Sequence, residues 1–83
     1  MISIITDDGR RLINYNDVSV IYVSPYTSPE QGLYLIKAEY TDGVNTYLTK
    51  KGTEIDILDK FHKLCNAIAN SPIGNVIIDM RTL

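Results

Sequence analysis

The chain has 83 residues, with ten acids against eight bases, a net charge of −2 and one cysteine. That length suits one domain spanning residues 1–83, and a lone Cys65 excludes an internal disulfide. The like-charged runs stop at the pairs Asp7-Asp8, Arg10-Arg11 and Lys50-Lys51. This balance disfavours strong electrostatic binding to nucleic acid or to an anionic membrane, which needs several clustered cations.

No apolar run approaches the ~20 residues that span a bilayer, and no charged-then-apolar leader opens the chain. A cytoplasmic protein that touches no membrane is the expectation.

In chain order, Ile2 to Ile5 reads as a strand, Asp7-Asp8-Gly9 as a turn and Arg10 to Ile13 as the return strand. Asn14 to Asp17 forms a second turn, because Asn and Asp side chains bond nearby backbone. Val18 to Val23 is rich in β-branched residues and predicts a third strand. Val18, Val20 and Tyr22 fall on one face and Ile21 and Val23 on the other, the pattern of a central strand covered on both sides. Ser24 to Gly32, with two prolines, reads as the longest loop.

Leu33 to Tyr40 and Val44 to Thr49 form the clearest hairpin, and its register can be argued. A two-residue Asp42-Gly43 loop would pair Tyr40 with Asn45. A three-residue loop, Thr41-Asp42-Gly43, pairs Tyr40 with Val44, Ala38 with Thr46 and Ile36 with Leu48. The longer loop gathers the apolar side chains on one face and leaves Lys37, Glu39, Asn45, Tyr47 and Thr49 on the other. Because a one-residue slip exchanges the faces, patterning selects it, with Gly43 in the left-handed position of a bulged turn.

An amphipathic helix is predicted over about 53–70. Thr53 caps it, with Asp56 three residues on, close to a capping box. Glu54 and Asp56 meet the positive end of the helix dipole. Asp56–Lys60 and Asp59–Lys63 are i,i+4 pairs in the favourable order. Ile57, Leu58, Phe61, Leu64, Cys65 and Ile68 make the buried stripe, and Asn70-Ser71-Pro72 ends the helix. Val76 to Met80 is either a last strand or an extended tail. The fold class is therefore α+β: a small, mostly antiparallel sheet of five or six strands with one helix on one face. A helix of about 17 residues reaches roughly 25 Å at about 1.5 Å per residue, enough for one face and not for two.

No chemistry assembles from these residues. His62 and Cys65 lie i,i+3, but no further Cys or His completes a metal site, and a buried Cys65 would be a poor nucleophile. Asp7, Asp8, Asp17 and Asp42 are explained by turns, and Asp79 by alternation away from the core. Lys50-Lys51-Gly52-Thr53 precedes a helix N-terminus but lacks a phosphate-binding loop. No catalytic residue, metal ligand or cofactor is assigned, and a small enzyme or metal protein ranks last.

Six tyrosines (15, 22, 26, 34, 40 and 47) are many for this length. Core and interface use outranks base stacking, since no cationic excess accompanies them.

The run from Ile21 to Ile68 resembles short proteins common in Gram-positive bacteria and their phages. The shared features are an Asn/Asp turn into a strand (Asn14 to Val23), an alternating strand ending in an acidic-Gly turn (Leu33 to Gly43), a strand ending in Leu (Val44 to Leu48), and a Thr-capped helix from Thr53. This chain departs in its proline-bearing loop at Ser24 to Gly32 and in the apolar segment after the helix. The resemblance implies a bacterial or phage-related origin and brings no activity or site residues.

The expected function is a non-enzymatic protein-interaction module that self-associates, most simply as a homodimer, through Val18, Val20, Tyr22, Leu33, Leu35 and Tyr47. The alternative is single-stranded nucleic-acid binding through Tyr22, Tyr34 or Tyr47 with Lys37 and Arg10-Arg11.

Overall fold

The computed structural model describes residues 1–26 and 32–83. It is an α+β fold with strands β1 (Ile2–Ile5), β2 (Leu12–Asn14), β3 (Val18–Tyr26), β4 (Leu33–Tyr40), β5 (Asn45–Tyr47), β6 (Gly52–Thr53) and β7 (Val76–Asp79), and one helix, α1 (Glu54–Ala69). A short 3-10 turn, Tyr15–Asp17, joins β2 to β3 and is capped by Asn14, whose side chain accepts from the Asn16 amide.

The strands form two sheets rather than one. The larger has the order β3-β4-β5, with β6 also pairing with β4; the smaller has the order β2-β1-β7. The expected single sheet of five or six strands is thus replaced by a four-stranded and a three-stranded sheet. The smaller sheet is completed by β7, which pairs in parallel with β1, Ile2 opposite Val76 and Ile4 opposite Ile78, and its Ile4, Ile13 and Ile78 are buried in the same core as Ile36 and Leu48 of the larger one. The segment left open as strand or tail is therefore a strand.

Asp7 ties the two sheets together. Its amide donates to the Leu48 carbonyl at 3.0 Å, and its carboxylate accepts from the Lys50 amide at 2.8 Å. The Arg11 guanidinium adds a donor to the Thr46 hydroxyl.

The hairpin takes the three-residue loop. Lys37 pairs with Tyr47 and Ala38 with Thr46, the Tyr40 amide donates to the Val44 carbonyl at 2.8 Å, and Gly43 has φ +89°. Burial of one face decides the register, since Ile36, Ala38 and Leu48 are all fully buried. Thr49, expected on the open face, is instead buried. Its hydroxyl accepts from the Ile36 amide at 3.0 Å, continuing the ladder where the β5 backbone stops.

The helix starts at its predicted cap: the Thr53 hydroxyl accepts from the Asp56 amide at 3.2 Å. Of the two predicted i,i+4 pairs, Asp59–Lys63 closes at 3.1 Å. Ile57 and Leu64 are buried, with Phe61 and Ile68 packed against the same core. Cys65 is exposed and Leu58 is 37% exposed, which corrects the stripe: the helix rests on a narrower line than its apolar arc offers.

One core unites the layers. Ile4, Ile13, Ile78 and Met80 from the small sheet and its flank meet Ile36, Ala38 and Leu48 from the large sheet and Ile57 and Leu64 from the helix. Helix and small sheet thus share the inner side of the large sheet, and no described element lies across its outer side.

Among the described residues, the strand read as central, β3, is an edge. The centre is β4, which pairs with β3, β5 and β6. Two-sided apolar patterning is satisfied in another way: one face of β3 meets the core and the other stays open. A register shift between Val18 and Val20 places a bulge at Ser19 and rotates Val18 to the inner face, where it packs against the core with Ile21 and Val23. The expected loop is shorter at its start as well, because β3 runs on through Pro25 to Tyr26. Residues 27–31 of that expected loop lie outside the described residues.

Candidate interaction surface

The outer face of the large sheet is built by alternation along β3, β4 and β5. Its rows are read from the pairings. Val20, Glu39 and Asn45 form one, Tyr22, Lys37 and Tyr47 the next, then Ser24 with Leu35 and Tyr26 with Leu33. Val20 is 44% exposed and Tyr47 52%, a large apolar display for a face that no described element covers.

Polar groups hold this face in order. The Lys37 ammonium lies 5.4 Å from the Tyr47 ring centroid, and the Lys51 ammonium 4.7 Å from that of Tyr26, both within cation–π range. The Tyr22 hydroxyl donates to Asn45 Oδ1 at 3.2 Å. The surface is therefore a set of aromatic rings propped by lysine stems, with Glu39 beside them.

Of the six predicted interface residues, the structure gathers five here. Val20 and Tyr47 are exposed, and Tyr22 and Leu33 half-buried. Leu35 is on this side but buried, so it supports the face more than it presents itself. Val18 lies on the opposite side because of the bulge at Ser19.

The residues of the nucleic-acid alternative are only partly brought together. Tyr22, Lys37 and Tyr47 share one row. Tyr34 packs against the core, where the Glu54 carboxylate bonded to its phenol pushes its pKa above the ordinary tyrosine value. Arg10 and Arg11 belong to the turn of the small sheet, and Arg11 reaches toward Thr46.

A second feature runs along the free side of β3. A groove of about 320 Å³ separates it from α1 and is lined by Val18, Ser19, Val20 and Ile21 from the strand and by Phe61 and Cys65 among the helix residues. None of the lining side chains is charged. Sequence reading missed it because Cys65 was counted as core and β3 as a central strand.

The small sheet has its own outward patch. Leu12 is 63% exposed and Ile77 65%; Arg81 beside them is held by Asp79, Nη2 to Oδ2 at 2.7 Å. That guanidinium keeps the Asp79 carboxyl below its usual range. Asp8 is likewise lowered, chiefly by the Thr6 hydroxyl donated to it at 2.6 Å.

Among the described residues no group of three or more His, Cys, Asp or Glu side chains could hold a metal ion. His62 is exposed and sits beside Phe61, ring centroids 6.1 Å apart. Among those residues, too, no helix is long and apolar enough to cross a membrane. No family model, curated protein or solved structure matches the chain.

Proposed function

We propose that this chain is a non-enzymatic protein-interaction module whose simplest partner is a second copy of itself, acting in the cytoplasm of a bacterial or phage-infected cell. The observation that carries the reading is the outer side of the large sheet. It displays Val20, Tyr22, Leu33 and Tyr47 over the buried Leu35, and no described element covers it. Aromatic side chains with a polar tip are the residues that interfaces favour, since they bury large area while keeping a hydrogen bond. Tyr22 and Tyr47 fit that role. Sedimentation at micromolar concentration tests the proposal: a dimer that dissociates on dilution supports it, and a monomer at every concentration overturns it.

A second reading is favoured by one specific observation, the row Tyr22–Lys37–Tyr47. Aromatic rings flanking a cation on an open sheet can stack on the bases of a single strand. Glu39 in the adjacent row and the net charge of −2 weigh against it. Fluorescence anisotropy with a single-stranded oligonucleotide decides: binding must appear at low salt and weaken as salt rises.

A further inference from the structure

The free edge of β3 says how two copies would meet. The Leu48 amide donates to the Ile36 carbonyl and the Tyr40 amide to the Val44 carbonyl, each at 2.8 Å. The even-numbered backbone groups of β4 therefore face β5. Leu35, Lys37 and Glu39 face β3, opposite Ser24, Tyr22 and Val20. By alternation, the amides and carbonyls of Ile21 and Val23 point away from β4. Among the described residues no strand pairs with that side.

Edge strands of solitary proteins are blunted by charges, prolines or bulges. Val18 to Tyr26 holds no charged residue, and its blunting devices sit at its two ends: the bulge at Ser19 and the proline at 25. Between them, Val20 to Ser24 is an unprotected pairing template.

We propose that β3 pairs antiparallel with β3 of a second copy, about a two-fold axis through Tyr22, joining the two large sheets into one. This rests on the self-association reading and moves the contact from the outer face to the edge that borders it: Val20 and Tyr22 belong to both, while Tyr47, on β5, stays open on the joined face.

The two ends of the template select the register. An axis through Val23 would set Ile21 opposite Pro25, which has no amide to give. An axis through Ile21 would set Val23 opposite the bulged Ser19. Only an axis through Tyr22 pairs Ile21 with Val23 in both directions, so that both residues use their donor and acceptor. The same register carries the inner-face residues Val23 and Pro25 of one copy toward the uncharged groove beside Val18 to Ile21 of the other. With no charge on either strand or in the groove, two identical edges approach without like-charge repulsion. The outer faces become continuous, with Val20 set opposite Ser24.

In this register Tyr22 meets its own copy as a non-hydrogen-bonded pair, the arrangement with the shorter Cα separation, about 4.5 Å. That is within disulfide range. The test is Tyr22→Cys in a Cys65→Ser background under mild oxidation, with Val20→Cys as the comparison and amide exchange of the unmodified protein as a second readout. The expected result is a shift of Tyr22→Cys to a covalent dimer while Val20→Cys stays uncrosslinked, with the Ile21 and Val23 amides slowing as concentration rises. A dimer by sedimentation whose Ile21 and Val23 amides keep exchanging freely overturns the edge register and leaves self-association standing. A strict monomer overturns both.

Discussion

The two sides of the large sheet differ in what their residues are for. On the inner side Ile36, Ala38 and Leu48 are fully buried against the helix and the small sheet. On the outer side Tyr22, Lys37 and Tyr47 stand in a row held by a cation–π contact and a side-chain hydrogen bond. Both sides alternate along the same strands. The difference is that three layers meet on one, while no described element lies on the other. Stability should concentrate on the first, and recognition is left to the second.

Substitution should expose that contrast most sharply at Ile36. Ile36→Ala removes a fully buried side chain from the strand that pairs with three others, and should cost about 2–5 kcal/mol in chemical denaturation. A loss below about 1 kcal/mol would mean the inner side is not the stabilising one.

The helix that closes that inner side gives the next effect. Thr53→Ala deletes the cap bonded to the Asp56 amide and should cost about 1 kcal/mol, read from the thermal midpoint, whereas Thr53→Ser should stay close to the parent. Tyr47→Ser on the outer side should cost roughly 0.5–1 kcal/mol, the loss of its cross-strand contact with Lys37. It should also leave the dimer intact by sedimentation, because Tyr47 sits on β5, away from the β3 edge. Loss of the dimer in Tyr47→Ser would instead favour face-to-face packing of the outer sides.

The smallest effect belongs to the outward side of the small sheet. Arg81 keeps the folded pKa of Asp79 below the unfolded value near 3.8. A carboxylate of that kind stabilises the fold fully above its unfolded pKa, and the contribution fades as pH falls through the lower folded value. The pair is solvent-exposed, so the loss is slight. Denaturant midpoints followed from roughly pH 5 downward should fall less steeply for Asp79→Asn than for the parent protein.

What could be read without coordinates was local. The hairpin register followed from period-two patterning and one glycine at positive φ. The start of the helix followed from Thr53, Glu54 and Asp56, residues within one turn of each other. The candidate surface was half legible, because the hairpin register alone sets Lys37 opposite Tyr47. Tyr22 could join that row only once the partner of β3 was known, and Val18 left it because a bulge at Ser19 reverses the alternation.

By itself, then, the order of amino acids determined most of the segments that extend, where the hairpin turns and where the helix begins. Those outcomes depend on neighbours a few residues apart, whose sterics and polarity act before any fold exists. Only the tertiary structure decided that β7 lies beside β1, that two sheets form instead of one, that β3 is an edge, and that Cys65 faces a groove. Backbone hydrogen bonds are alike in every strand pairing. Strand order is therefore settled by the one arrangement that buries Ile4, Ile36, Leu48, Leu64 and Ile78 together.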